Sequence, residues 1–294
     1  MTPGVSLELE QLLQVPPLSQ MLATRQVSNH KTGINQASSK GRGMEFAEVR
    51  PYLAGDDVRS IDWRITARTG KPHTKLFREE RDRCVYVLLD LDPGMYFGSH
   101  GQLKARLATL VAAAASWQAL AQGDKIGGIV LIGDEPVRQP PAGRRRDLLT
   151  WLHTLHQSYQ QGLSRHPVTP RLCDGLKLLS QTIRPGSLVH IISDFYRTSD
   201  ELWLWLRRLH KSHHVRCYQV LDHLELTLHG KGSLAVDNGR EEGFLTSFDS
   251  KFAQHYRQVA QHRQHQVQRH LHECCQRAYQ LDAARALGSK RGIG

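Results

Sequence analysis

The sequence predicts an α/β fold: a doubly wound, mostly parallel sheet with an N-terminal signature segment, a small β-hairpin and a long C-terminal helix. Three observations predict it. Four short apolar runs, CVYVLL, IGGIVLI, LVHII and VRCYQVL, are each bounded by charged or turn residues, as strands buried on both faces are. Helical patterns of ten or more residues separate them, and that alternation implies parallel crossovers with helices on both faces. Asp90 and Asp194 close two of the runs, where ligands gather in such sheets.

The elements follow in chain order. A short amphipathic helix around Leu7 to Leu13 opens the chain and leads into a polar stretch. Cys84 to Leu89 is the first buried strand, ending at Asp90. Leu103 to Ala121 follows as a helix with Leu103, Leu107, Leu110, Val111, Ala114 and Ala115 on one face, and Gln122-Gly123-Asp124 stops it. Ile126 to Ile132 is the second strand; its Gly127-Gly128 signals close backbone packing, since no Lys-Ser/Thr follows to make a phosphate loop. Leu148, Leu149, Leu152 and Leu155 mark a helix, and Leu172 to Ile183 another, which ends before Arg184-Pro185-Gly186. Leu188 to Ile192 is the third strand, closed by Ser193-Asp194. Thr198 and Glu201 read as a capping box for a helix through Leu209. Val215 to Leu221 is the fourth strand. Asn238-Gly239 is a hairpin-turn dipeptide. Ser247 to Leu287 reads as one long Gln- and His-rich helix. Its narrow apolar stripe runs through Phe252, Tyr256, Val259, Val267, Leu271, Cys274, Ala278 and Leu281. The chain thus divides into an N-terminal segment 1–36, an Arg/Asp-rich segment 37–83, an α/β domain 84–222, a hairpin extension 223–246 and a C-terminal helix and tail 247–294.

The chain has 294 residues, 39% hydrophobic and 23% charged, in the range of a folded globular protein. It contains no apolar run of about 18 residues, so no membrane span is expected. Its N-terminus lacks the basic-then-apolar order of a secretion signal, and five irregularly spaced cysteines argue against a disulfide framework. Together these lead to the expectation of a cytoplasmic protein. The net charge of +11 would attract anionic partners. Between Lys40 and Arg83, however, basic residues interleave with Glu45, Glu48, Asp56, Asp57, Asp62, Glu79, Glu80 and Asp82, which describes a salt-bridged surface. With no aromatic-rich basic motif present, nucleic-acid binding ranks below protein binding.

Gly41 to Asp82 carries Arg50-Pro51-Tyr52, Gly55-Asp56-Asp57, Arg59, Ile61-Asp62-Trp63, Ala67-Arg68, Lys75 and Phe77-Arg78-Glu79-Glu80. This segment resembles the signature of the domain-of-unknown-function 58 family, and the likeness continues through Asp90, Gly123-Asp124-Lys125 and Ser193-Asp194-Phe195. The resemblance implies a von Willebrand factor A-like fold and no catalytic activity. It also implies association with a MoxR-type AAA+ ATPase and its client protein, in assembly or maturation of other complexes. Read physically, Gly55 before two aspartates makes a tight turn. Arg50, Arg59, Arg64 and Arg68 can fork onto carboxylates, and Trp63 can anchor beside them. The simpler reading is a salt-bridged collar bracing the core; the functional one is a docking surface that includes Tyr52 and Trp63.

Von Willebrand factor A domains often carry a metal-ion-dependent adhesion site. By resemblance its ligands here are Asp90, Asp92, Thr169 and Asp194, and its ion Mg²⁺ or Mn²⁺. Asp92 and Gly94 replace the two serines of the adhesion motif, so the site reads as degenerate; otherwise these aspartates cap loops at strand ends. Asp90-x-Asp92 also suggests a Mg²⁺-dependent haloacid-dehalogenase-like phosphatase, with Asp90 as nucleophile and Asp92 as general acid or base. That class's lysine and late acidic pair are not evident in the sequence. His270, His272, Cys274 and Cys275 lack a second ligand pair for zinc and read as a solvated helix face. No Gly-x-Ser-x-Gly elbow anchors serine hydrolysis.

Overall fold

A computed structural model describes residues 4–22, 26–27, 44–53, 56–79, 83–133, 135–164, 171–228, 233–237, 242–246 and 250–284. The chain separates into two units, one of residues 1–31 with 83–294 and one of residues 32–82.

The larger unit begins with two short helices, α1 (Leu9–Leu13) and α2 (Leu18–Met21), and a two-residue strand β1 (Gln26–Val27). The smaller unit holds an antiparallel pair, β2 (Met44–Pro51) and β3 (His73–Glu79), with helix α3 (Trp63–Thr69) between them. The chain then runs through β4 (Cys84–Asp90), α4 (Lys104–Ala121), β5 (Lys125–Leu131), β6 (Val137–Ala142), α5 (Arg145–Ser164), α6 (Leu172–Thr182), β7 (Leu188–Ser193), α7 (Asp200–Ser212) and β8 (His214–Leu221). It closes with the hairpin β9 (Ser233–Asp237) and β10 (Glu242–Thr246), α8 (Ser250–Cys274) and β11 (Arg277–Asp282).

Seven strands form the main sheet in the order β1-β11-β8-β7-β4-β5-β6. The inner pairs are parallel, and β1 and β6 add antiparallel edges. The period of two in β4 divides the core. Val85, Val87 and Leu89 face the layer of α1, α2, α4 and α5, whereas Tyr86 and Leu88 face α6, α7 and α8. This is the doubly wound sheet expected from the sequence. Gly128 is required where it stands: a Cβ there would lie 2.6 Å from the Trp151 ring and 2.7 Å from Val87 O.

Four elements differ from expectation. Helix α4 is buried nearly all round, not along one stripe, because α1, α2 and α5 cover the side that would otherwise face water. Strand β6 contains Pro140-Pro141, which hid it; prolines are tolerated because this is an edge strand. The N-cap of α7 is Ser199, whose side chain accepts from Leu202 N–H, not Thr198. The expected helix to Leu287 ends at Cys274, and the chain turns back as β11, parallel to β8. Ala278 and Leu281, three residues apart, fit the helical stripe although they face opposite sides of the sheet. They serve a strand instead, while Phe252 and Val259 of that stripe are exposed. The hairpin is present, with Asp237 opposite Glu242; Asn238-Gly239 itself lies outside the described residues.

Candidate functional site

From β4 the chain passes to β5 and β6 on one side, then crosses to β7 on the other side of β4. The carboxyl ends of β4 and β7 therefore flank the point where connections change direction, the usual ligand crevice of an open α/β sheet. Asp90 is the last residue of β4, Ser193 the last of β7, and Asp194 follows. Asp90 is 6% exposed. Its Oδ2 accepts from Ser193 Oγ at 2.7 Å and its Oδ1 from Asp92 N–H at 3.1 Å. Burial above all, and then repulsion from Asp194, push its carboxyl up to about 7, with the Ser193 hydrogen bond opposing.

The opposite charge comes from Lys104, the first residue of α4, which is fully buried. Its Nζ donates to Asp194 Oδ2 at 2.7 Å and to Glu225 Oε1 at 2.5 Å. Burial pulls the ammonium down, but Asp194 and Glu225 outweigh it and push the group up to about 12. Burial raises Glu225 in turn, against the pull of Lys104. Glu225 Oε2 accepts from Asp222 N–H at 3.0 Å. Asp222, also buried, accepts from Ser99 N–H at 2.8 Å and Ser99 Oγ at 2.5 Å. The network thus ties the ends of β4, β7 and β8 to the start of α4. An ammonium at a helix N-terminus opposes the helix dipole, so the two carboxylates are what make this placement tolerable.

Around this buried network lies an exposed rim. Phe195 adopts a left-handed backbone, φ 53°, strained for a non-glycine residue; Ser193 Oγ accepts its N–H at 3.0 Å. Asp194 Oδ1 accepts Tyr196 N–H at 2.9 Å. This turn projects Tyr196, 53% exposed, to the surface, where the Arg263 guanidinium of α8 sits 4.0 Å from its ring centroid. Arg197 reaches Asp92 Oδ2 at 3.2 Å. A small recess open to solvent, with room for about one water, lies between Asp194, Tyr196, Gln219, Glu225, Arg263 and Gln264.

Of the four expected metal ligands, Asp90, Asp92 and Asp194 come together at the strand ends, and Thr169 lies outside the described residues. The donors are oxygens of the kind Mg²⁺ takes, but their arrangement does not fit a divalent ion. Lys104 takes Asp194 Oδ2, Tyr196 N–H takes its Oδ1, and Gly94 N–H and Arg197 take Asp92. Among the described residues no group of three or more His, Cys, Asp or Glu is placed to hold a metal. Sequence reasoning missed Lys104, Glu225, Asp222 and Ser99, which meet across 90 to 123 residues of chain. One signal was available: a lysine opening a helix rich in Ala and Leu.

The signature segment is organised locally. Arg50 pairs with Asp56 at 2.8 Å, and that hydrogen bond foremost holds the Asp56 carboxyl below its ordinary value. Tyr52 Oη donates to Asp56 O at 3.3 Å. Asp57 caps a 3-10 turn through Arg59 N–H. Asp62 caps α3 through Arg64 and Ile65 N–H. The expected collar of forked arginines is therefore corrected: Arg50 gives Nη2 to Asp56 and Nη1 to Pro51 O, so it does not fork onto the carboxylate; Asp57 and Asp62 accept backbone amides, and Arg59 and Arg68 are exposed. Trp63 is no buried anchor but 68% exposed. Lys75 and Glu79 lie in β3; Gly55 and Glu80 fall outside the described residues. The His270 and Cys274 face is also not solvated. His270 stacks on Trp203 at 4.7 Å, and buried Cys274 lies against Trp203 O.

Comparison with known proteins adds identity to this geometry. A family profile described as "Protein of unknown function DUF58" matches residues 48–269. "Uncharacterized protein Rv1480" of Mycobacterium tuberculosis is 29% identical over 209 residues, covering 71% of this chain. The chain spans 64% of the length of that curated relative. The SpRpn10 VWA domain is similar at 12% identity, covering 70% of this chain and 90% of that one, with a TM-score of 0.38. An aerotolerance-related membrane protein from Bacteroides fragilis is similar at 14% identity, covering 61% and 88%, also with a TM-score of 0.38. Because structures named as membrane proteins stand among the similar ones, the expectation of a cytoplasmic protein is withdrawn. Among the described residues no helix is long and apolar enough to cross a membrane.

Proposed function

This chain belongs to the family described as DUF58, and from that premise we propose that it is a non-catalytic interaction module whose strand-end rim docks a MoxR-type AAA+ ATPase. In that role it is an adaptor for assembly or maturation of a client protein. The observation that carries this reading is the rim itself. A strained backbone at Phe195 presents Tyr196 to solvent, and the Arg263 guanidinium lies over the ring. Tyr and Arg are residue types that anchor protein interfaces, and the contact with the ring pre-orients the half-buried Arg263 guanidinium, so less freedom is lost on binding. The Arg263 guanidinium suits a carboxylate of the partner. Exposed Leu53, Val58 and Trp63 of the signature segment offer a second, apolar contact.

The phosphatase alternative gains a lysine in space but loses access. A nucleophilic Asp90 must meet a phosphate in line, yet this residue is buried and both its oxygens are engaged. Lys104 is equally enclosed between two carboxylates. A nucleic-acid role predicts binding that weakens steeply with salt.

The test is capture of a purified MoxR-type ATPase in its ATP and ADP states, alongside hydrolysis of a generic phosphate ester with Mg²⁺. The expected result is capture in at least one nucleotide state and no hydrolysis. Failure of capture in both states overturns the proposal, as does hydrolysis abolished by Asp90→Asn.

A further inference from the structure

We infer that Lys104 supplies, from inside the fold, the positive charge that a divalent cation supplies in adhesion-type sites, so that this strand-end face is built without a metal. The inference rests on the reading of this face as the interaction surface, and it explains how the face is held.

Three observations carry it. The lysine has the burial and partners of a structural ion: its side chain is 1% exposed, and its ammonium bridges two carboxylates 31 residues apart at 2.7 and 2.5 Å. A water-exposed lysine at such a helix start would point outward; here the whole side chain is threaded under the site. Next, the Asp194 carboxylate is already used. Asp194 gives Oδ2 to the ammonium and Oδ1 to Tyr196 N–H, and its second contact fixes the turn that projects Tyr196. Finally, the first loop has lost the neutral donor that an ion would use. Position 94 is glycine, and a Cβ there would stand 3.4 Å from Asp92 Oδ1 and 3.7 Å from Asp194 Oδ2. A serine hydroxyl would therefore start from within reach of both acids, but none is present. A single fixed ammonium with three donors performs the structural part of a metal's work, drawing β7, Glu225 and α4 together. It does not leave an open coordination position for a partner's carboxylate, so that task passes to the rim.

Lys104 is thus a positioning residue for the turn at Asp194-Phe195-Tyr196. The test needs no partner, so its failure is distinguishable from failure of ATPase capture. Calorimetric titration with Mg²⁺ and Mn²⁺, and thermal unfolding in EDTA or millimolar Mg²⁺, are run on the whole chain and on Lys104→Met. For the wild type the expected result is no saturable heat and a Tm unchanged within about 1 °C. For Lys104→Met the Tm falls by about 10 °C, and amide exchange at 194–196 reports a loosened turn. Micromolar Mg²⁺ or Mn²⁺ binding by the wild type, lost in Asp90→Ala, overturns the inference. So does a Lys104→Met protein with unchanged Tm and an unchanged 194–196 segment. If Lys104→Met does not fold, the wild-type titration still decides, and Glu225→Gln supplies the second variant. With one bridge removed it is expected to loosen the same turn, and unaltered exchange there counts against the inference.

Discussion

The signature segment and the strand ends of the large unit are both rich in Asp and Arg or Lys, yet they handle charge in opposite ways. In the signature segment the described aspartates work mostly on near neighbours, though Asp56 Oδ2 also accepts from Thr74 Oγ1, 18 residues on. Asp57 and Asp62 accept backbone N–H groups two or three residues ahead, and Asp56 pairs with Arg50 six residues back. The groups stay largely in water, and the bulky side chains Val58 and Trp63 are exposed. At the strand ends Asp90, Lys104, Asp194 and Asp222 are buried, and beside local contacts to backbone N–H groups each of these groups has a partner across 90 residues or more of chain. Local, exposed contacts are worth little each; buried, long-range ones are costly to leave half made. The same residue types therefore decorate one region and hold the other together.

The comparison is broken most directly at Lys104. Lys104→Met strands Asp194 and Glu225 in a buried site, and equilibrium denaturation is expected to show a loss of about 3–5 kcal/mol. A loss under about 1 kcal/mol would place the network with the surface pairs. The second effect is set by pH. Buried His190 shares a 2.7 Å hydrogen bond between its Nδ1 and Tyr218 Oη. Burial first, then Arg216 and Arg83, push its imidazole down to about 3. Its pKa is lower folded than unfolded, so the unfolded chain binds the proton first. The stabilising contribution is full above pH 6.5 and is lost as pH falls from there towards 3, at roughly 1.4 kcal/mol per unit. Denaturation of wild type and His190→Gln from pH 8 to 4 checks this: the gap between them should narrow as the solution is acidified. Next in size is Asp62→Ala, which removes the cap of α3 and should cost about 1 kcal/mol, read from the same denaturation midpoint. Smallest is Trp63→Ala, expected within about 0.5 kcal/mol of wild type by denaturation because the ring is exposed.

What the sequence made legible follows the same division. The four apolar runs announced β4, β5, β7 and β8, since a strand buried on both faces needs no partner to be recognised. Asp90 and Asp194 were placed correctly because strand ends are a topological address. The double glycine of β5 gave its close approach, here to Trp151. Three things were hidden by competing signals. Pro140-Pro141 concealed an edge strand, and RAYQLD continued a helical stripe while forming β11. Trp63 read as a core anchor although its neighbours are capping loops. Lys104 and Glu225 were hidden for a different reason: no local pattern tells a buried lysine from an exposed one until the chain closes around it.

The affinity of the MoxR-type ATPase for Arg263→Glu and for Trp63→Ala, each beside wild type, tests most directly which region meets the partner. The expected result is a loss of at least about tenfold, or about 1.4 kcal/mol, for Arg263→Glu with an unchanged Tm, and a smaller loss for Trp63→Ala. Full affinity in Arg263→Glu, with binding lost in Trp63→Ala, would contradict the strand-end rim as the principal docking surface and move it to the signature segment.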